Sequence, residues 1–310
     1  NVDKQSVVVR FDGRSLVSTD AFCQTLEQHG NYVFMGNQSL LKKIKAKLFG
    51  VLTPCTQIET LGWQPDFKIW AWANGIVSDD EFIEADKSNH VAVVNGNYYR
   101  LPEPDKASED AVFRYEKGSM TLPLWLSKID EVYRENDNGI LLALYFLSSI
   151  FRDSIYANLR FFPMLFGFGQ PGSGKSTLAW SLSYMYGKPL KQINLSSGTG
   201  VGISRRSAGY QNAVVWFDEY KNSLPPKMIE FLKGLYDGAG YLRGQYTNDN
   251  RTHATEVNAG IFITGQDIPV ADPALFTRTI LLQFSKTTFP KEEKQRFRAL
   301  QELEHAGGFS

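Results

Sequence analysis

The residues best suited to chemistry lie in the run Gly169-Gln170-Pro171-Gly172-Ser173-Gly174-Lys175-Ser176-Thr177. Its spacing of glycine, four residues and Gly-Lys-Ser is that of a phosphate-binding P-loop, in which backbone N–H groups turn inward around a polyphosphate. Lys175 supplies a point charge to the β- and γ-phosphates, and Ser176 supplies a hydroxyl to Mg²⁺. The run therefore reads as a nucleoside triphosphate site. Its context is expected to be a buried strand from Phe162 to Phe168 and a helix from Thr177 to Tyr186, whose N-terminus receives the anion.

About forty residues on, Ala213-Val214-Val215-Trp216-Phe217 runs into Asp218-Glu219, an apolar strand ending in two carboxylates. Phosphoryl transfer to water needs two acidic roles. Asp218 can hold Mg²⁺, and Glu219 can polarise the attacking water as a general base. A second apolar strand, Ala259 to Gln266, delivers polar residues to the same sheet edge. Gln266 is the first candidate to orient the water or sense the γ-phosphate, with Thr264 second. Arg278, just before the strand Thr279 to Phe284, can serve as an arginine finger on the γ-phosphate of a neighbouring subunit. An in-chain ion pair is its rival role.

These residues need elements to position them. Residues 1 to 101 read as an α+β accessory domain: a strand at Val7 to Phe11, a helix from Ser18 or Thr19 to His29, and a helix from Ser39 to Phe49. The latter places Leu40, Leu41, Ile44 and Leu48 on one side, with Lys42, Lys43, Lys45 and Lys47 around the other as a solvated face. Ile58 to Arg100 reads as short strands broken at Gly62, Gly75 and the hairpin signal Asn95-Gly96, with Trp63, Trp70 and Trp72 in a core. Residues 102 to 120, with Pro102, Pro104 and Gly118, read as a linker. A helical brace over 121 to 160 follows, with helices Leu122 to Asn136 and Ile140 to Tyr156 about a turn at Asp137-Asn138-Gly139. The nucleotide core then occupies 161 to 289. Within it Gln192 to Leu195 reads as a short strand, Ser196 to Tyr210 as a Gly, Ser and Thr-rich segment, and Pro226 to Tyr236 as a helix. A C-terminal helix over 290 to 310 ends the chain.

Composition narrows the classes. The chain has 310 residues, 43% hydrophobic and 21% charged, which suits a soluble globular protein of about two domains. Lysine plus arginine equals aspartate plus glutamate at 33 each, so nucleic-acid contact has to come from a local surface rather than global charge. Cys23 and Cys55 form no zinc pattern, and the four histidines are scattered. A reduced, cytoplasmic protein without membrane association is expected. The longest apolar run, Ile140 to Leu147, is too short to cross a bilayer. The chain opens on Asn1, so it reads as a segment of a longer polypeptide.

The order of P-loop, Val-Val-Trp-Phe-Asp-Glu, Phe-Leu-Lys-Gly-Leu-Tyr-Asp-Gly-Ala-Gly, Ile-Thr-Gly-Gln-Asp-Ile-Pro and Ala-Leu-Phe-Thr-Arg resembles the superfamily 3 helicase domains and the poxvirus-type and phage or plasmid primase-helicases. The likeness covers about Leu122 to Phe284. It implies an AAA+ type α/β sandwich that hydrolyses ATP with Mg²⁺ between the subunits of a hexameric ring. It assigns Lys175 and Ser176 to phosphate and metal, Asp218 and Glu219 to metal and water, Gln266 to the sensor, and Arg278 to the finger. It also implies a hairpin from Arg243 to His253 that contacts single-stranded DNA in the central channel, with Arg243, Tyr246, Arg251 and His253 as its contacting residues. The family sensor is typically asparagine, and the hairpin tip here lacks a clear lysine. A primase domain or other replication partners would lie outside the ends. The expected activity is an ATP-driven DNA helicase of a phage, plasmid or mobile element. An ATP-gated origin-binding or loader factor shares the same motifs, and a small-molecule kinase shares the P-loop.

Overall fold

A computed structural model of the chain describes residues 11, 13–103, 113–118, 120–133, 137–187, 190–198, 200–244, 252–285 and 290–306. It divides into two compact units, Asn1–Pro54 and Cys55–Ser310. The division therefore falls well before the boundary expected near Leu101.

The first unit holds two helices, α1 (Thr19–Gln28) and α2 (Gln38–Phe49). Both start on side-chain caps: Ser18 accepts from Ala21 N–H and Asn37 accepts from Leu40 N–H, which satisfies first-turn donors. Gln38 links the two starts, accepting from Thr19 N–H at 3.0 Å and donating to Val17 O at 2.8 Å. Phe22 packs against Phe11 and Phe34. Of the apolar side expected for α2 only Leu41 is buried; Leu40 and Leu48 are exposed. Lys42, Lys43 and Lys47 are exposed, and Lys45 lies over the Phe49 ring. The expected strand Val7 to Phe11 falls outside the described residues except for Phe11, which is not in a strand.

The second unit is built on a nine-stranded sheet. Its strands are β2 (Leu61–Gln64), β3 (Ile69–Trp72), β4 (Gly75–Ser78), β5 (Glu81–Glu84), β8 (Met164–Gly169), β9 (Ile193–Asn194), β10 (Tyr210–Tyr220), β13 (Asn258–Gly265) and β14 (Thr279–Phe284). The order is β14-β8-β13-β10-β2-β3-β4-β5, with β9 also on β10. From β14 to β2 all neighbours are parallel, whereas β2 to β5 form an antiparallel meander. Strands placed by sequence in an accessory domain thus extend the sheet that carries the Gly169–Thr177 run. The seam explains Gly62, expected to break the chain: it lies within β2 at φ +103°, where an added Cβ would stand 1.9 Å from Gln211 O. A separate three-stranded sheet, β1 (Cys55–Gln57), β7 (Asn97–Arg100) and β6 (Val91–Val94), closes the Asn95-Gly96 hairpin.

The central strands read as unbroken apolar runs because both sheet faces are covered. Leu165, Val214, Trp216 and Phe262 enter one core with residues of helices α3 (Leu122–Tyr133), α4 (Asp137–Ser149) and α6 (Lys175–Ser183). Their neighbours Met164, Phe166, Val215, Phe217, Ile261 and Ile263 enter the other, with α7 (Gly200–Ser207) and α8 (Pro226–Tyr236). This alternation is the period-two signature of a strand. The architecture is a mixed α/β one with helices on both faces. Trp72 is buried while Trp63 and Trp70 are half-buried.

Other elements depart from expectation. Asp137-Asn138-Gly139 begins α4 rather than forming a turn, and α5 (Arg152–Leu159) is separate from α4, bent 86° away. Two long-range ties set that break: Asp153 exchanges hydrogen bonds with the Asn212 side chain, and buried Arg152 donates to Asn258 Oδ1 at 3.3 Å. The described part of the expected linker is packed, since Phe113 is fully buried against Trp72 and its carbonyl accepts from Ala73 N–H. Ser196 to Tyr210 contains α7, and β9 is only two residues long. The last elements are α9 (Pro273–Phe276) and α10 (Lys291–His305). Among the described residues, no single helix is long and apolar enough to cross a membrane.

Candidate active site

The P-loop leaves the C-terminal end of β8 and enters α6 at Lys175. The N-cap of α6 is Gly174, at φ +90° and with no side-chain hydrogen bond to the first turn. Those first-turn N–H groups are therefore left for an anion. Lys175 is buried, and its Nζ donates to Gly169 O at 2.7 Å, Gln170 O at 3.0 Å and Ser173 Oγ at 3.2 Å. Burial lowers its pKa, against the pull of Asp218 and Glu219. A desolvated cation held on loop carbonyls gains by exchanging them for phosphate oxygens.

One cleft of about 190 Å³ brings together Pro171 to Thr177, Asp218, Glu219 and Gln266. The two carboxylates stand at the C-terminal end of β10, where only Tyr220 follows them in the strand. Adjacent strand residues normally point to opposite faces. A register shift between Phe217 and Tyr220, with Glu219 at φ +63°, breaks that rule, and both carboxylates line the cleft. Gly265 makes room for the bulge, since a Cβ there would stand 2.7 Å from Tyr220 O. Asp218 is half-buried, its Oδ1 accepting from Thr264 Oγ1 at 2.6 Å. The Glu219 side chain is 43% exposed and lies 3.7 Å from Lys221 Nζ. Gln266 is exposed at the rim, where a bound molecule or a neighbouring chain can reach it.

Arg278 is not in this cleft. It precedes β14 at the end where Thr279 pairs with Met164, whereas the P-loop leaves the other end of β8 at Gly169. The six residues of β8 set those ends roughly 17 Å apart at about 3.3 Å per residue. Arg278 Nη1 donates to Ala274 O at 2.8 Å, its guanidinium lies over the Tyr236 ring, and its buried Nε–H has no partner among the described residues. Among the described residues a carbonyl and a ring hold the guanidinium, and no carboxylate pairs with it.

Antiparallel strands β11 (Ala239–Gly244) and β12 (Thr252–Glu256) bracket the expected hairpin from Arg243 to His253, with those two residues as register partners. Tyr246 and Arg251 lie outside the described residues. The hairpin follows α8 directly, and Val257 N–H donates to Gly238 O across its base.

An apolar cavity of about 260 Å³, which no sequence motif marks, lies beside the P-loop. Ser173, Gly174 and Thr177 line both this cavity and the cleft, while Val132, Tyr133, Leu178, Phe284 and Phe297 form its apolar wall. Its walls come from α3, α6, β14 and α10, so no local motif announces it. A molecule anchored by phosphate in the cleft can place a flat apolar group here.

The donor set fits Mg²⁺. The Ser176 hydroxyl and the Asp218 carboxylate are hard oxygen ligands, and Mg²⁺ commonly takes one or two such groups together with substrate phosphates.

Among solved structures, the chain is similar to the SCCmec type IV Cch active helicase, at TM-score 0.54 and 16% identity over 94% of this chain. The fold is of helicase type. The chain spans 52% of that helicase's length. Looser likenesses, at 15% and 12% identity, are to the JCV helicase (TM-score 0.36, 62% of this chain and 53% of that one) and the NrS-1 C-terminal region (TM-score 0.37, 86% and 67%). No protein-family model and no curated protein sequence matches the chain.

Proposed function

We propose that the chain is the motor of an ATP-driven DNA helicase of the AAA+ type, acting as a homo-hexameric ring on single-stranded DNA. The observation that carries this reading is the cleft in which the P-loop, Asp218, Glu219 and Gln266 converge. In it Lys175 binds phosphate, Glu219 accepts a proton from the attacking water, and Gln266 orients that water or senses the γ-phosphate. Ser176 and Asp218 would hold Mg²⁺, which supplies charge stabilisation at the phosphates when bound. The nucleobase would occupy the apolar cavity against Phe297 and Val132.

Arg278 supports ring action, because its own cleft lies at the far end of the sheet and a second copy would have to present it. The parallel strand order β14-β8-β13-β10-β9 is compatible with an AAA+ core. Helix α8 runs from the carboxylate strand to the base of the β11–β12 hairpin, a short path by which nucleotide state can move the proposed DNA-contacting residues Arg243, Tyr246, Arg251 and His253. That hairpin favours a translocating motor over an ATP-gated loader. An origin in a phage, plasmid or mobile element, and work beside a primase domain or other replication partners, belong to the same reading. The accompanying test is ATP turnover with and without single-stranded DNA. Wild type should turn over without an added acceptor and be stimulated by DNA, and Glu219→Gln should bind ATP but not hydrolyse it. Turnover that requires a small-molecule acceptor would contradict the reading.

A further inference from the structure

A buried hydrogen-bond relay lies directly behind the cleft. Thr264, on β13, is fully buried, and Trp216, on β10, is 2% exposed. Trp216 Nε1 stands 2.8 Å from Thr264 Oγ1, which in turn stands 2.6 Å from Asp218 Oδ1 and 3.3 Å from Phe217 O. An indole N–H can only donate, whereas a hydroxyl carries one hydrogen and can accept. Thr264 therefore accepts from Trp216 and must direct its single hydrogen elsewhere. The carboxylate is closer than the carbonyl and makes the stronger, charge-assisted bond. Asp218 Oδ1 is thereby committed to Thr264, and Oδ2 is the oxygen left for the cleft.

We propose that Thr264 is a positioning residue for Asp218, and that Trp216 fixes the direction in which its hydroxyl donates. The inference rests on the reading of the cleft as a Mg²⁺–nucleotide site. It gives Thr264 a role distinct from sensing phosphate, since its hydroxyl is spent on Asp218. It also gives a reason for a polar side chain at the end of the apolar run Ile261-Phe262-Ile263-Thr264. Carboxylates oriented by such partners lose about 10- to 100-fold in metal affinity when the partner is removed.

The test uses the full chain, a fluorescent ADP analogue and titrated Mg²⁺, with nucleotide affinity also measured in EDTA. Thr264→Val, which keeps shape and removes the hydroxyl, should raise the half-saturating Mg²⁺ concentration about 10- to 100-fold and leave metal-free nucleotide affinity unchanged. Thr264→Ser should return it to within about threefold of wild type, as rescue of the hydroxyl requires. Trp216→Phe keeps the hydroxyl but frees its direction, and should give an intermediate rise. It carries the test alone if Thr264→Val does not fold. An unchanged Mg²⁺ dependence in Thr264→Val, or in Trp216→Phe where that variant alone is soluble, overturns the proposal while leaving the nucleotide-site reading intact. Loss of metal-free and metal-bound affinity in equal proportion also overturns it, because that is the signature of a purely structural residue. Nucleotide binding by wild type that ignores Mg²⁺ removes the site reading and this inference together.

Discussion

Helix α10 is fastened to the P-loop helix by a buried carboxyl group, and its ionisation should make stability fall as pH rises. Glu304 is 2% exposed and accepts from Ser181 Oγ on α6. Burial, only partly offset by that hydrogen bond, raises its pKa from 4.5 to about 7. The folded state therefore holds the proton more tightly than the unfolded state. Stability from this group is full below about pH 4.5, drains away as pH rises toward 7, and is absent above it. At about 1.4 kcal/mol per pH unit, this window corresponds to about 3 kcal/mol. Glu304→Gln keeps the size and the acceptor oxygen but cannot ionise. Urea unfolding of the two proteins at constant ionic strength should give similar stabilities near pH 5 and a glutamine variant more stable by about 3 kcal/mol near pH 8. Comparing variants cancels the titration of other groups. A difference that stays constant from pH 5 to 8 would mean that Glu304 does not ionise in this range.

Two further perturbations address the cleft and its reach between subunits. Glu219→Gln and Arg278→Ala should each abolish hydrolysis alone, yet mixing them should restore activity at about a quarter of the interfaces if each site draws its arginine from a neighbour; no recovery in the mixture counts against a shared site. Glu219→Gly should end hydrolysis without lowering stability, since glycine adopts the left-handed backbone that costs other residues about 1–2 kcal/mol; a lower unfolding midpoint would show that the bulge is not strained.

Local chemistry made much of the fold legible. Helix α8 and strand β14 carry the bounds read from sequence because proline at the first helical turn and unbroken apolar runs mark them. The P-loop, the carboxylate pair and the polar end of β13 were legible for the same reason: each is a contiguous run whose residue types carry the chemistry. What could not be read depends on partners far away in sequence. No glycine or proline marks the break between α4 and α5, which is set by Asn212 and Asn258. Asp137-Asn138-Gly139 has turn chemistry but serves equally as a helix start, where an acidic residue suits the positive end of the dipole. Gly62 looks like a strand breaker until β10 is placed against it. The bulge at Glu219 likewise leaves no trace in the run of β10; its complement is Gly265 on β13. The apolar cavity draws on four separate elements, so its lining is visible only in three dimensions.

In the proposed motor, hydrolysis in this cleft is coupled to strand separation. The most direct measurement is ATP-dependent unwinding of a forked DNA duplex, comparing wild type with Glu219→Gln at matched ATP occupancy. Wild type should give separated strands and the variant an intact duplex, with both binding ATP. Wild-type ATP hydrolysis at a normal rate with no strand separation, on forks carrying either tail polarity, would contradict that coupling.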